Sequence, residues 1–124
     1  MPRPLSPPAL FLALVVVLPQ PALAVDPPYQ EDMERLAEIL GGLYFLQPLC
    51  NKVGTDWRLE MADLISLDQP DDDRKQRLAG AFNDGYTAYA RTYRACTASA
   101  GEAMRRLMTE AEKSARDMHS RFAE

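Results

Sequence analysis

Four stretches of the 124-residue chain carry apolar residues at three- and four-residue steps, the spacing of a buried helix face. The first runs over about residues 30–47, with Met33, Leu36, Ala37, Leu40, Leu43 and Tyr44 on one side. Glu31, Asp32 and Glu34 put acid in its first turn, where the helix dipole favours it. Pro48 is expected to end it, because the residue before a proline avoids the α region. The second covers about residues 56–67, aligns Trp57, Met61, Leu64 and Ile65, and takes its cap from Thr55 or Asp56. The third covers about residues 72–95 behind the run Asp71-Asp72-Asp73, with Leu78, Phe82, Gly85, Tyr86, Tyr89, Tyr93 and Cys96 in phase. Asn83-Asp84-Gly85 is also a turn signal, but the phase is unbroken across it. The helix is therefore expected to continue, with Gly85 on the inner face admitting a neighbour. The fourth, about residues 100–122, follows the capping box Ser99-Ala100-Gly101-Glu102 and aligns Met104, Leu107, Met108, Ala111, Ala115, Met118 and Phe122.

No alternating run long enough for a strand occurs, and no proline follows Pro70. The pattern predicts an all-α domain over residues 31–124: a four-helix up-down-up-down bundle with short links, behind an extended leader at 25–30. In that topology the first and third helices run the same way. Cys50 and Cys96, which follow and end them, would then meet at one end of the bundle.

The N-terminus carries a different pattern. Arg3 precedes the unbroken apolar run Ala9–Leu18, Pro19 and Pro21 break it, and Ala22-Leu23-Ala24 presents small residues around a cleavage point. This is the layout of a secretory signal peptide over residues 1–24, cut between Ala24 and Val25. The run is too short for a membrane span, which needs ~20 residues, so no span is expected after signal removal. Export would carry both cysteines to an oxidising, periplasmic or extracellular compartment, where an even pair reads as one disulfide. Closing that loop suggests roughly 4 kcal/mol of stabilisation through chain entropy.

Charge and composition narrow the function. Eighteen acidic against fourteen basic residues, a net charge of −4, argue against nucleic-acid binding. Two Cys and one His are too few for a Cys/His zinc site, and no phosphate loop, dinucleotide fingerprint or nucleophile elbow is present. No cofactor is implied.

The segments Leu40-Gly41-Gly42-Leu43-Tyr44-Phe45-Leu46-Gln47-Pro48-Leu49-Cys50, Trp57-Arg58 with Met61, Ala81-Phe82-Asn83-Asp84-Gly85-Tyr86 and Tyr93-Arg94-Ala95-Cys96-Thr97 resemble the signature of a small family. Its members are short secreted proteins of alphaproteobacteria with a domain of unknown function. The resemblance covers about residues 31–120 and departs from the family pattern at Tyr44 and Gln47, where relatives often carry His and Arg. It implies an exported helical protein with a disulfide, and no activity.

Individual residues give two readings each. Cys50 and Cys96 lie too far apart for a Cys-x-x-Cys redox couple and read as a structural bridge. His119 reads as a surface histidine, Trp57 as core, and Asp68 with Asp71-Asp72-Asp73 as a helix start rather than a cation site. Tyr44, Phe45 and Leu46 make the end of the first helix apolar nearly all round. They are either covered by the Pro48-Leu49-Cys50 turn or form a patch for a partner. Tyr86, Tyr89 and Tyr93 read as core, or, with Met104, as the lining of a ligand pocket. Asp84 with Arg91 or Arg94 would be the material of an enzyme, but these face outward. The reading is an exported, non-enzymatic interaction or accessory protein of the cell envelope, with an envelope protein as partner. The alternative is a periplasmic carrier of a small apolar or aromatic ligand held between the helices.

Overall fold

A computed structural model of the chain describes residues 1–9, 14–19, 25–52 and 54–123. Among these it has four helices and no strand: α1 (Gln30–Leu49), α2 (Trp57–Asp68), α3 (Asp72–Thr92) and α4 (Ala98–Phe122). Residues 1–9 and 14–19 are exposed and carry neither helix nor strand. Much of the expected signal segment, including Ala24 of the cleavage site, lies outside the described residues; Val25 is exposed.

Local chemistry sets the helix starts. The Asp56 carboxylate accepts the backbone N–H groups of Arg58 and Leu59, both at 3.1 Å, and opens α2. Asp71 accepts from the Arg74 N–H at 2.8 Å and opens α3. The Thr97 hydroxyl accepts from the Ala100 N–H at 3.1 Å and opens α4, so the fourth helix starts before the expected Ser99 cap. The Ser99 hydroxyl instead lies 3.1 Å from that of Tyr93. Each such cap contributes about 1 kcal/mol.

Two ends depart from the periodic reading. Pro48 does not stop α1 but sits in its last turn. The helix survives because the next N–H groups find carbonyls: Cys50 bonds back to Leu46 at 3.0 Å and Lys52 to Gln47 at 3.0 Å, with Asn51 left-handed at φ 52°. At the other departure α3 stops at Thr92, Tyr93 is extended, and Cys96 lies in the linker to α4. Cys96 keeps helical phase in the sequence without being helical. The chain leaves the helix there and reaches Cys50, with Cα atoms 4.8 Å apart in a disulfide.

α1 is the hub. It packs most extensively on α3, then α4, then α2, while those three make little backbone contact with one another. Its buried residues therefore lie on several faces: Met33, Leu36, Ala37 and Leu40, but also Ile39, Leu43 and Leu46. A helix packed on three neighbours has apolar positions over most of its circumference, not one narrow stripe, and the strip Glu31, Arg35 and Glu38 of α1 faces solvent. Leu78 and Phe82 from α3, Ala103, Met104 and Leu107 from α4, and Met61 alone from α2 complete the core.

The α1–α3 contact is backbone on backbone. A methyl group at Gly41 would collide with the Phe82 carbonyl oxygen, and one at Gly85 with the Glu38 carbonyl oxygen. The expectation that Gly85 admits a neighbouring helix holds. Its counterpart Gly41, on α1, was not anticipated. A methyl at Gly42 would sit 2.8 Å from the side chains of Leu107 and Tyr89.

Polar side chains gather where the leader, α1, α2 and α3 meet. Arg74 is buried, donates from Nε to Gln30 Oε1 at 2.7 Å, and pairs with Asp68. Tyr29 donates its hydroxyl proton to the same Asp68 at 2.6 Å. Gln30 Nε2 is buried with no hydrogen-bond partner among the described residues. Nearer the surface Arg77 bonds Asp26 of the leader at 2.6 Å and Asp73 at 3.0 Å. Arg35–Glu110 at 3.0 Å and Arg121–Asp32 at 2.9 Å tie α4 to α1.

Candidate functional site

A groove of about 460 Å³ opens between α2 and α3. Its floor is open to solvent because α2 is fastened at its two ends and makes little backbone contact with α3 between them. Trp57 Nε1 donates to Gln47 Oε1 at one end, and Tyr29 reaches Asp68 at the other. Arg58, Met61, Ala62 and Ile65, at three- and four-residue steps, form one wall. Ala79, Phe82, Asn83 and Tyr86 form the other at the same steps, and Tyr44 of α1 is the floor between them.

Met61 and Phe82 are buried at the bottom; Arg58, Asn83 and Tyr86 stand exposed at the rim. The aromatic rings form a connected set. Tyr44 lies 5.7 Å from Phe82 and 5.8 Å from Tyr86, both tilted, and Phe45 meets Tyr86 edge-on at 5.4 Å. Such tilted and edge-on pairs are the favourable arrangements for ring quadrupoles. No carboxylate lines the groove, and Arg58 makes no ion pair among the described residues. The arrangement can seat an apolar body and offer donors around it: the Arg58 guanidinium on the α2 side, the Asn83 carboxamide and Tyr86 hydroxyl on the α3 side, and the Tyr44 hydroxyl between them.

The residues singled out from sequence are distributed differently. Tyr44 and Tyr86 share this groove, and Phe45 is half-buried against Tyr86. Leu46 is 0 % exposed, so it belongs to the core and to no surface patch. The reason is that α1 packs on three helices, so its buried face is wide enough to take in Leu46. Tyr89 and Tyr93 do not join Tyr86. They stack on each other at 6.4 Å, and Tyr89 packs by Gly42 near Leu107 of α4. α1 lies between the two sets, so the single pocket expected from the three tyrosines is not formed. Met104 is in a third place, a recess shared with Gln47 and Trp57.

Cys50 and Cys96 form the disulfide at the shared end of α1 and α3, with no free cysteine. His119 is exposed and borders a separate apolar groove with Tyr29, Met118 and Phe122. Among the described residues no group of His, Cys, Asp or Glu is placed to hold a metal ion. Asp71 is the α3 cap and Asp68 the partner of Arg74. Asp84, Arg91 and Arg94 stand exposed and make no ion pair among the described residues. Sequence reasoning placed Met61 and Ile65 in the core stripe and passed over Arg58, Ala62 and Asn83. The available signal was the matched spacing 58-61-62-65 and 79-82-83-86 on consecutive helices.

Residues 28–122 match a family model described as a protein of unknown function (DUF2385). No curated protein and no solved structure matches the chain.

Proposed function

The chain belongs to the DUF2385 family, and we propose that it is an exported, non-catalytic helical protein of the cell envelope that binds a small apolar or aromatic ligand in the α2–α3 groove. The observation that carries this is the groove itself. It is concave, apolar at its base and edged by a few polar groups, which is how small-molecule sites are built. Its volume falls within the range of roughly 300–1,000 Å³ that such sites occupy. The other reading, a protein partner on Tyr44, Phe45 and Leu46, loses one of its three residues because Leu46 is sealed in the core.

Export is supported by several features together. The described residues before Val25 are exposed and carry no helix or strand. The Cys50–Cys96 bridge suits an oxidising compartment. No described helix is long and apolar enough to cross a membrane. An up-down-up-down course is supported by which residues meet: Tyr29 with Asp68 and Phe122, Gln47 with Trp57, and Cys50 with Cys96.

Mass spectrometry tests the function. Protein purified undenatured from an envelope fraction should release a small molecule on solvent extraction, and Ala62→Trp, which fills the groove from an exposed position, should release none. Equal release from both forms, or release from neither, overturns the reading. N-terminal sequencing of the same sample should begin at Val25.

A further inference from the structure

We infer that the ligand of this groove is an amphipathic carboxylate: Arg58 holds its charged head and the apolar base of the groove takes its tail. The inference rests on the proposal that the groove binds a small molecule and adds the charge and polarity of that molecule.

Charge complementarity is the argument. The chain is acidic overall, with eighteen acidic residues against fourteen basic. Yet no acidic side chain lines the groove, and its single charged group is a guanidinium. The arginines that hold the fold are matched: Arg35 to Glu38 and Glu110, Arg74 to Asp68, Arg77 to Asp26, and Arg121 to Asp32. Arg58 has no such partner among the described residues. Of the two carboxylates nearest to it in sequence, Asp56 is committed to capping α2 through the Arg58 and Leu59 N–H groups, and Glu60, two residues on, forms no ion pair with it. An unpaired guanidinium beside an apolar trough favours a carboxylate, which it binds through two parallel hydrogen bonds. The Asn83 carboxamide stands on the opposite rim as a second donor.

Polarity along the groove fixes the orientation. Arg58 lies in the first turn of α2, and Ile65 seven residues on. At the helical rise that is about 10 Å of apolar wall running away from the guanidinium. Met61 and Phe82 line the base. A head at Arg58 and a medium-length tail toward Ile65 therefore satisfy both ends.

The test uses the disulfide-bonded protein, calorimetric titration, and the methyl resonance of Met61. The probes are decanoate and the uncharged decanol. Decanoate is expected to bind at least tenfold more tightly than decanol and to shift the Met61 methyl. Arg58→Gln, at an exposed position that leaves the core untouched, should weaken decanoate at least tenfold and leave decanol unchanged. Ala62→Trp should abolish both. Equal binding of the two probes, with no effect of Arg58→Gln, overturns the carboxylate inference and leaves the groove as an apolar site. Failure of both probes to shift Met61 overturns both readings.

Discussion

Gly41 and Gly85 hold the two main helices at backbone distance: each lies against a main-chain carbonyl of the other helix, Gly41 against that of Phe82 and Gly85 against that of Glu38. Neither obstacle is a side chain that can rotate away. A single methyl at either position must push α1 and α3 apart. Gly85→Ala is therefore expected to destabilise by about 3 kcal/mol or more, the upper part of the overpacking range, in a denaturant titration. Gly80 supplies the control. It is in the same helix, and a methyl there meets nothing within 4 Å. Gly80→Ala should stabilise by roughly 0.5–1 kcal/mol through helix propensity alone.

Reduction of Cys50–Cys96 should lower the melting temperature while leaving most of the helical circular dichroism. The bridge closes 46 residues containing α2 and α3, and the helices on either side already pack through α1. Loop entropy puts the loss at roughly 4 kcal/mol. An unchanged melting point would show that the bridge contributes nothing in solution.

Arg74 is the buried charge of the structure, and Asp68 its counter-ion. Arg74→Met should cost about 3 kcal/mol, because it leaves the largely shielded Asp68 without a counter-charge, with only the Tyr29 hydroxyl bonded to it, and removes the partner of Gln30 Oε1. The double variant Arg74→Met, Asp68→Leu is expected to recover part of that loss. Strict additivity of the two changes in a double-mutant cycle would contradict the coupling.

The leader responds to acid. A hydrogen bond from Arg77 holds the Asp26 carboxyl below its ordinary value of 3.8. A depressed carboxyl stabilises the folded state fully above the unfolded value, and this contribution disappears as pH falls through the lower folded value. Protection of the leader against limited proteolysis should therefore be constant near neutrality and fall below about pH 4. Asp26→Asn should lack that protection throughout, so wild type and variant should converge at low pH. Divergence that persists there would place the tether elsewhere.

The four helices were legible because their apolar period is strong, and Gly85 because it kept phase where a turn signal interrupted it. The pairing of the cysteines was legible from their places beside the first and third helices. The hub role of α1 was not. Ile39 and Leu46 fall outside the stripe set by Leu36 and Leu40, and only the other helices reveal that α1 is covered well beyond that stripe, with the strip Glu31, Arg35 and Glu38 left to solvent. Cys96 followed helical phase into a segment that is not helical, since periodicity continues on paper after hydrogen bonding has stopped. Tyr86 and Tyr89 share one apolar stripe in the sequence, but α1 lies against that stripe and divides them. The groove escaped because three of its eight wall residues are Arg58, Ala62 and Asn83, residues that also suit an ordinary wet surface.

α2 buries only Met61 and is fastened at its two ends alone, by the Trp57–Gln47 hydrogen bond at one and by Asp68, bonded to Tyr29 and paired with Arg74 of α3, at the other. The neutral bond at the Trp57 end contributes about 1 kcal/mol, little beside the packing that joins α1, α3 and α4, so that end opens about the ion-paired Asp68 end. The molecule therefore has two clocks. Amide exchange in α2 is expected to proceed through local opening, orders of magnitude faster than at Leu43 or Leu78, which wait for global unfolding. One wall of the groove then works as a leaf that swings, and a guest needs no permanent doorway to reach Met61.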